Sequence, residues 1–339
     1  MLNIYNYNYE DLENKLLELG EKKFRCKQIW DWLYVKKVSS FDDMTNLGKD
    51  LILKLKDNFS FDYINIKRKQ EDELTKKYLF ELTDGNLIEA VLMMHDYGIS
   101  ICVSSQVGCN MGCAFCESGR LKKIRNLETY EIVEQVLIIE KDINKRIDSV
   151  VIMGIGEPFD NYDNIINFIK IINNPFGISI GARHITVSTS GLIPKIKEFM
   201  NLDLQVNLAI SLHASNNELR NRLMPVNKAY PLNELINVLN EYIDKTNRRI
   251  TIEYVMLKEV NDSVTNALEL SNLLNGMNVY VNLIPYNETS HLEFKKSDKN
   301  TIMKFYDVLK KNKINVTIRK EFGSKIDAAC GQLRANEVK

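Results

Sequence analysis

From residue 94 onward the chain alternates between short apolar segments and longer amphipathic ones, and this alternation restricts the folds open to it. The longer segments carry one apolar face each, as with Ile132, Val133, Val136 and Leu137. Near-continuous apolar strands between helices are typical of a parallel sheet covered by helices. We therefore predict an α/β fold, either an open doubly wound sheet or a partial barrel. The six predicted strands are ISICVS (99–104), DSVVIM (148–153), HITVST (184–189), VNLAIS (206–211), ITIEYVM (250–256) and VYVNLI (279–284).

Unusual loop sequences follow the ends of these predicted strands. In α/β barrels and sheets the active site lies at the carboxyl ends of the strands. We therefore expect these loops to carry the chemistry. They are QVGCNMGCAFCESG (106–119), GIGEPFDN (154–161), STSG (188–191), SLHAS (211–215) and PYNET (285–289).

Residues 1–93 have a different pattern, which predicts a small α+β domain before the larger domain of residues 94–339. Helical periodicity is present in YEDLENKLLEL and FRCKQIWDWLY, and Ser40 and Asp43 of SFDDM have the spacing of a capping box that would begin a third helix. KYLFELT and LIEAVLM are joined by Thr83-Asp84-Gly85-Asn86, which predicts a β-hairpin.

The composition gives no global attraction to polyanions or membranes. The chain has 339 residues, 45 basic and 45 acidic side chains and no run typical of a leader or membrane span, so we expect a soluble, cytoplasmic protein without a membrane partner. RNA would be met by local basic patches, and the best are RLKKIR (120–125) and IKRK (66–69). Solvated faces are the alternative interpretation of both patches.

The strongest chemical signal is the CxxxCxxC spacing of Cys109, Cys113 and Cys116. Thiolates suit zinc or iron–sulfur clusters, and a closed zinc site would need a fourth ligand from elsewhere. Three cysteines on a cubane leave one iron open to a substrate-like molecule. No second cysteine pair is present, so the spacing favours a cluster over zinc, and a zinc-stabilised RNA-binding module without catalysis is the alternative of another class.

Two further residues stand out without reference to any family. Glu89 is the only charge in the apolar strand NLIEAVLM, where a carboxylate is paired, used in chemistry or at a solvent-facing edge. Cys102 in ISICVSSQ is typical of a buried strand cysteine that acts as a small hydrophobic residue, and Cys26 has the same interpretation.

Beyond the cysteine triplet, motifs along nearly the whole chain resemble one family. CxxxCxxC with an aromatic residue before its last cysteine resembles the signature of radical S-adenosylmethionine (SAM) enzymes. The order and spacing of the longer motifs resemble the RlmN and Cfr family of RNA adenine methyltransferases. The motifs are FRCKQIWDWLY, CVSSQVGCNMGCAFC, MGIGEPFDN, ITVSTSGLIP, LAISLHA, LMPVNKAYP, TIEYVMLKEVND, NLIPYN and IDAACGQL.

The resemblance implies a fold, cofactors and binding residues. It implies a partial (β/α)6 TIM-like barrel in residues 94–339, with residues 1–93 as an accessory RNA-binding domain and a C-terminal loop that carries a methyl-carrier cysteine. It implies one [4Fe-4S] cluster on the three cysteines, with exchangeable SAM, two molecules of which are used per turnover. The residues implied for SAM are Gly156, Glu157, Ser188, Ser211, Leu212, His213 and Asn287. From the sequence alone, Gly-Ile-Gly is equally a tight turn and His213 a structural histidine.

The resemblance also implies a covalent mechanism. A first SAM would methylate Cys330, and a second, cleaved reductively at the cluster, would give the radical that takes a hydrogen atom from the S-methyl group. The carbon radical then adds to adenine, Glu89 is the candidate base, and Cys102 releases the product by forming a transient Cys102–Cys330 disulfide. A carboxylate with a raised pKa would suit the base. The target base must leave its stack to reach the cluster.

The expected substrate is C2 of adenosine 2503 in 23S ribosomal RNA, in a protein-poor or precursor form, with adenosine 37 of transfer RNAs as a second substrate. The alternative within the family is Cfr-type methylation of C8 of the same ribosomal adenosine, which confers antibiotic resistance. Pro158 of GIGEPFDN favours C2, since the Cfr-type branch has alanine there. CESGRLKKIRNL departs from the small, glycine-bearing run common in the family. The resemblance further implies a flavodoxin or ferredoxin as electron donor and a monomer.

Overall fold

A computed structural model describes residues 1–319 and 332–337 of the chain. The strands are β1 Leu2–Asn3, β2 Phe59–Ser60, β3 Asn65–Asp72, β4 Thr75–Glu81, β5 Leu87–His95, β6 Gly98–Cys102, β7 Gln106–Val107, β8 Arg125–Asn126, β9 Ser149–Ile152, β10 Ile185–Thr189, β11 Asn207–Ser211, β12 Ile250–Met256, β13 Val279–Pro285 and β14 Asn315–Ile318. The helices are α1 Tyr9–Glu18, α2 Phe24–Tyr34, α3 Lys49–Asn58, α4 Glu117–Arg120, α5 Thr129–Ile143, α6 Tyr162–Asn173, α7 Ile193–Phe199, α8 Asn217–Leu223, α9 Leu232–Thr246, α10 Val264–Leu273, α11 Lys299–Lys311 and α12 Gln332–Glu337.

Ten of the described strands form one open sheet, in the order β14-β13-β12-β11-β10-β9-β6-β5-β4-β3. From β6 to β14 all neighbours are parallel, and helices connect them, as βα crossovers require. The predicted α/β fold is confirmed, and each of the six predicted strands is present. Apolar side chains on α5, α6, α9 and α11 cover the sheet, and they are buried in one core with the strands.

The predicted hairpin is confirmed as β4 and β5, which pair antiparallel. Gly85 has φ +79° at the turn, a conformation that glycine adopts without strain, and the Leu82 amide donates to the Asn86 carbonyl. β5 then pairs antiparallel with β6, so the sheet continues across residue 93. The division into domains of residues 1–93 and 94–339 stays a prediction, since one sheet and one hydrophobic core extend over both.

The prediction of a third helix beginning at SFDDM was wrong. Residues Phe41–Asp43 form one 3₁₀ turn, in which the Ser40 side chain caps nothing and the Asp43 carboxylate instead accepts from the Ser39 amide at 3.1 Å. Helix α3 begins only after Gly48, where Leu51 and Leu55 can be buried.

The N-terminal segment, residues 1–64, contacts helix α5. The Tyr130 amide, in the first turn of α5, donates to Asn6 Oδ1 at 2.9 Å, which satisfies a group that has no partner within the helix. The Ile64 amide donates to Glu134 Oε2 at 2.7 Å, farther along the same helix. Over the described ranges, no helix is both long and apolar enough to cross a membrane.

Candidate active site

Loops that follow β6, β9, β10, β11 and β13 meet at one edge of the sheet. The five strands are parallel, so their carboxyl ends lie on the same side. These loops enclose a cavity of about 280 Å³. Nine of the predicted site residues line it: Cys109, Cys113, Cys116, Gly156, Glu157, Ser188, Ser211, His213 and Asn287.

The cysteine loop is folded tightly after β7. Gly108 has φ +81°, and a Cβ atom there would lie 2.2 Å from the Lys122 carbonyl oxygen, so glycine is required where the loop passes the segment before β8. The Cys116 amide donates to the Cys113 carbonyl at 3.2 Å, and the Ala114 amide donates to the Leu223 carbonyl at 2.9 Å. The loop is thereby fixed against the end of α8.

Burial governs the three thiols on the cavity wall. It raises the pKa of all three, that of Cys109 to about 12, and each thiolate would also repel the others. Three thiolates here would need a compensating positive charge, which the iron atoms of a cluster would supply. Among residues 1–319 and 332–337, no three His, Cys, Asp or Glu side chains converge on one point as ligands of a single ion. In a cubane each cysteine ligates a different iron, so three cysteines on the wall of one cavity fit such a cluster.

The loop after β9 is held by the carboxylate of Glu157. Glu157 is 3% exposed, and its oxygens accept from the Phe159 amide at 3.0 Å and the Ser190 amide at 2.8 Å. Burial raises the pKa of Glu157, and these hydrogen bonds oppose the increase. Gly156 has φ +112°, and a Cβ atom would lie 2.6 Å from Ser105 Oγ. The loop therefore approaches the β6 end closely and ties the β9 and β10 ends together.

His213 lies in the left-handed region with φ +56°, and its ring faces the cavity. Its Nδ1 accepts from the Val255 amide at 3.1 Å, so the neutral ring carries its proton on Nε2. Burial lowers the pKa of His213 to about 3, and the nearby Arg220 charge adds to this. His213 is thus a neutral polar group of the wall.

The remaining predicted SAM residues differ in exposure. Ser188 Oγ lies 3.4 Å from Ser211 Oγ across neighbouring strands, and Asn287 is exposed at the cavity mouth. Leu212 is fully buried, and its side chain is not part of the cavity wall. Its carbonyl instead accepts a hydrogen bond of 3.3 Å from Arg220 Nε.

Glu89 and Cys102 lie on the same face of the sheet as the cavity wall. Val91 pairs with Cys102 and Cys102 with Val151, so Glu89, two residues from Val91, shares the face of Cys102. The register continues through β10 and β11 to Ser188 and Ser211 on that face. The structure thus brings two of the three predicted catalytic residues beside the cavity, although neither of the two lines it.

The carboxylate of Glu89 is paired. Lys77 Nζ on β4 lies 3.1 Å from Glu89 Oε2, and the Arg334 amide donates to Oε1 at 2.5 Å. Of the alternatives left open by the sequence, the structure shows a buried ion pair and no solvent-facing edge. Cys102 is partly buried, and burial raises the pKa of its thiol, while the charges of Arg319 and Lys77 lower it. Cys330 lies outside the described residues.

The sequence reasoning missed three residues: Glu253 and Arg319, which line the cavity, and Arg220, which lies behind its wall. Glu253 is 4% exposed in the cavity and accepts from Asn282 Nδ2 at 2.9 Å; it is a single charge in an apolar strand, the signal that singled out Glu89. Arg319 follows β14 and also lines the cavity. Arg220 carries no signal in NELRNRL, because the pattern of that helix is ordinary.

Most basic side chains of the two predicted patches form ion pairs with carboxylates. In IKRK, Lys67, Arg68 and Lys69 lie within 3.0 Å of Glu81, Glu337 and Asp142 respectively. In RLKKIR, Arg120, Lys123 and Arg125 have carboxylate partners, whereas Lys122 is exposed. Contact of either patch with RNA stays a prediction.

Comparison with protein families gives two matches. Residues 103–270 match the radical SAM superfamily, and residues 2–60 match the ribosomal RNA large subunit methyltransferase N-terminal domain. The first match covers the cysteine loop and strands β9, β10, β11 and β12.

The chain also has close relatives over its whole length. It is 53% identical over 337 residues to the "Probable dual-specificity RNA methyltransferase RlmN" of Acholeplasma laidlawii, with 99% of each chain covered. It is 54% identical over 345 residues to the protein of the same description in Streptococcus thermophilus, with 99% of this chain and 89% of the relative covered. The crystal structure of a radical SAM methyltransferase from Sphaerobacter thermophilus superposes with a TM-score of 0.94 at 39% identity, covering 99% of this chain and 100% of that one. The chain therefore belongs to the RlmN family of radical SAM RNA methyltransferases.

Proposed function

We propose that this enzyme methylates C2 of adenosine 2503 in 23S ribosomal RNA and C2 of adenosine 37 in transfer RNAs, through a methylated cysteine. The observation that carries the proposal is a shared face of the sheet: Glu89 and Cys102 lie on it beside a cavity lined by three cysteines. An ordinary polar methyl transfer needs a nucleophilic acceptor, and C2 of adenine is not one. A radical route with a protein methyl carrier removes that requirement.

Cys109, Cys113 and Cys116 would hold a [4Fe-4S] cluster and leave one iron for SAM. When bound, the cluster would supply the electron that cleaves SAM. Gly156, Glu157, Ser188, Ser211, Leu212, His213 and Asn287 are the proposed SAM residues. The support is that six of these seven residues line one cavity, and that Leu212 lies between two of them, Ser211 and His213, in the chain. The neutral Nε2–H of His213 can donate a hydrogen bond but adds no charge.

The chain's own residues would perform the remaining steps. Cys330 carries the methyl group from the first of two SAM molecules to the adenine. Glu89 accepts the proton that leaves C2 of the adduct, whose unpaired electron would return to the cluster. The Cys102 thiolate then attacks the Cys330 sulfur, so that the disulfide forms as the bond between that sulfur and the methylene carbon breaks, and the methylene carbon takes a proton to become the methyl group of the product. Helix α12, which begins two residues after Cys330 in the sequence, packs against β5 and α4. Since β5 carries Glu89 and α4 follows Cys116, this packing supports a role for the segment near the site.

Methylation of C8 is the competing assignment within the family. Pro158 favours C2, because the resemblance implies alanine at this position in the Cfr-type branch. In the structure Pro158 begins a 3₁₀ turn that the Glu157 carboxylate caps. Mass analysis of unmodified 23S RNA and transfer RNA after incubation with reduced enzyme and SAM tests the proposal. We expect 2-methyladenosine, and a product that contains only 8-methyladenosine would overturn it. The same assay with Cys330→Ala should give no methylated RNA.

The proposed partners are protein-poor 23S RNA, transfer RNA and a flavodoxin or ferredoxin donor, with the enzyme acting as a monomer. The zinc-stabilised module of the other class predicts a colourless protein with zinc. Metal analysis after anaerobic purification separates the two, since the cluster predicts about four irons per chain and brown colour.

A further inference from the structure

Lys77 occupies a position that the reaction scheme leaves unexplained. In the β4–β5 register, Leu79 pairs with Glu89 and Lys77 pairs with Val91, so Lys77 and Glu89 are diagonal neighbours on one face. The side chains meet at 3.1 Å between Nζ and Oε2, with exposures of 0% and 3%. A buried ammonium is costly unless it compensates a charge, and Glu89 provides that charge.

The second oxygen of Glu89 holds helix α12. The Arg334 amide belongs to the first turn of α12, where backbone amides lack an acceptor within the helix. It donates to Glu89 Oε1 at 2.5 Å, so a carboxylate from the sheet supplies the missing acceptor. Leu333, next to Arg334, packs with Leu79 and Leu87 on the same strands.

The other polar groups that face Glu89 come from α12 and β6. The guanidinium of Arg334 is buried at 2% exposure, which lowers its pKa, while the Glu89 charge raises it. The Cys102 thiol faces Glu89 from β6. Only Lys77 has a cationic atom within ion-pair distance of the carboxylate among the described residues.

We propose that Lys77 is a positioning residue: it fixes the Glu89 carboxylate so that one oxygen holds helix α12 on the sheet, and α12 begins two residues after Cys330 in the sequence. Lys77 neither touches the RNA nor takes part in bond making. The consequence for methylation rests on the proposed roles of Glu89 and Cys330, whereas the docking of α12 does not.

Hydrogen exchange of the cluster-loaded enzyme under anaerobic conditions tests the docking. In Lys77→Met, we expect the amides of residues 332–337 to exchange at least 10-fold faster while those of α11 stay unchanged, and methylation to fall at least 10-fold. Lys77→Arg keeps a cation and should restore most of both. The matched control is Lys56→Met, which removes an ion pair with Asp42 at 2.7 Å on the surface and should change neither.

A folded Lys77→Met enzyme with unchanged exchange at residues 332–337 would overturn the inference. If Lys77→Met does not fold, Glu89→Gln decides the question. The neutral amide should also weaken the attachment of α12, so unchanged exchange at residues 332–337 in Glu89→Gln would likewise overturn the inference. If the RNA product proves to be methylated at C8, the proposed function fails but the exchange result stands. If C2 methylation is found with unchanged exchange, only the role of Lys77 fails.

Discussion

The fully buried guanidinium of Arg220 donates a hydrogen bond of 2.6 Å to the carbonyl oxygen of Ser190, which is 5% exposed. The same side chain donates to the Leu212 carbonyl at 3.3 Å and to Asn227 Oδ1 at 2.9 Å. One buried cation on α8 therefore holds the loops that follow β10 and β11. Burial lowers the pKa of Arg220 to about 10, since these acceptors are neutral.

Arg220→Lys should destabilise the protein and weaken SAM binding. An ammonium cannot reach three acceptors that lie in different directions, so buried carbonyls lose their donors. We expect a loss of about 2–4 kcal/mol in the free energy of unfolding, by urea titration, and at least a 10-fold weaker SAM affinity, by calorimetry. Arg222→Lys, on the exposed side of the same helix, is the control and should leave both within error. An unchanged SAM affinity in the Arg220 variant would mean that the loops keep their positions without it.

Gly156→Ala should disrupt the loop after β9. The φ of +112° is unfavourable for alanine, and the new Cβ would lie 2.6 Å from Ser105 Oγ and 2.7 Å from Gln106 Cβ. We expect a loss of about 2 kcal/mol or more in stability and a clearly weaker SAM affinity. Gly48→Ala is the matched control, because nothing lies within 4 Å of its Cβ position. Equal effects of the two substitutions would contradict the close approach of this loop to the β6 end.

The strands and the loops around the cavity could be predicted because their signals are local. The parallel strands are largely apolar, as in ITIEYVM of β12, where six of seven residues are buried. The chain order of strands and helices then fixes which strand ends meet. The hairpin turn at Gly85 is likewise determined by neighbouring residues.

Partners that come from distant parts of the chain could not be predicted in this way. Lys77 looks like an ordinary strand-end lysine in KKYLFEL, and its burial depends on the register of β4 and β5 and on α12. Arg220 is similar, since its acceptors lie 7 to 30 residues away along the chain. Glu253 could have been found, because one carboxylate in an apolar strand has the same physical cost as Glu89.

Alanine substitution of Cys109, Cys113 or Cys116 should each abolish cluster binding. Each thiolate supplies one of three protein ligands. Burial raises the pKa of all three thiols, so the protein around the cavity does little to stabilise the thiolate form without the cluster. After anaerobic reconstitution, iron analysis should show that roughly 80% or more of the iron is lost, and the visible absorbance of the cluster should be almost absent. Cys26→Ala, which changes a fully buried cysteine of α2, and Cys102→Ala should retain the iron. Retained iron in any of the three cysteine variants would contradict the proposed ligand set.

Glu134→Gln should stabilise the protein at alkaline pH. Glu134 is 1% exposed on α5, Oε2 accepts from the Ile64 amide, and Oε1 has no partner among the described residues. Burial raises its pKa well above 4.5, and the charges of Glu131 and Asp62 add to this. A carboxyl group with a raised folded-state pKa contributes stability that is complete at pH values below its unfolded-state pKa. That contribution is lost as the pH rises through the folded-state pKa, by up to about 1.4 kcal/mol per pH unit.

Glutamine keeps an oxygen for the Ile64 amide but has no charge to bury, so this part of the pH dependence disappears in the variant. We expect urea unfolding of the cluster-loaded enzyme to show Glu134→Gln at least about 1 kcal/mol more stable than the unsubstituted protein at pH 8, with a smaller difference at pH 6. Glu241→Gln, at an exposed position, should follow the unsubstituted protein at both pH values. The contrary outcome is that stability falls between pH 6 and pH 8 by the same amount in Glu134→Gln and in the unsubstituted protein. Glu134 would then be buried as a well-compensated anion, and its contact with the Ile64 amide would depend on its charge.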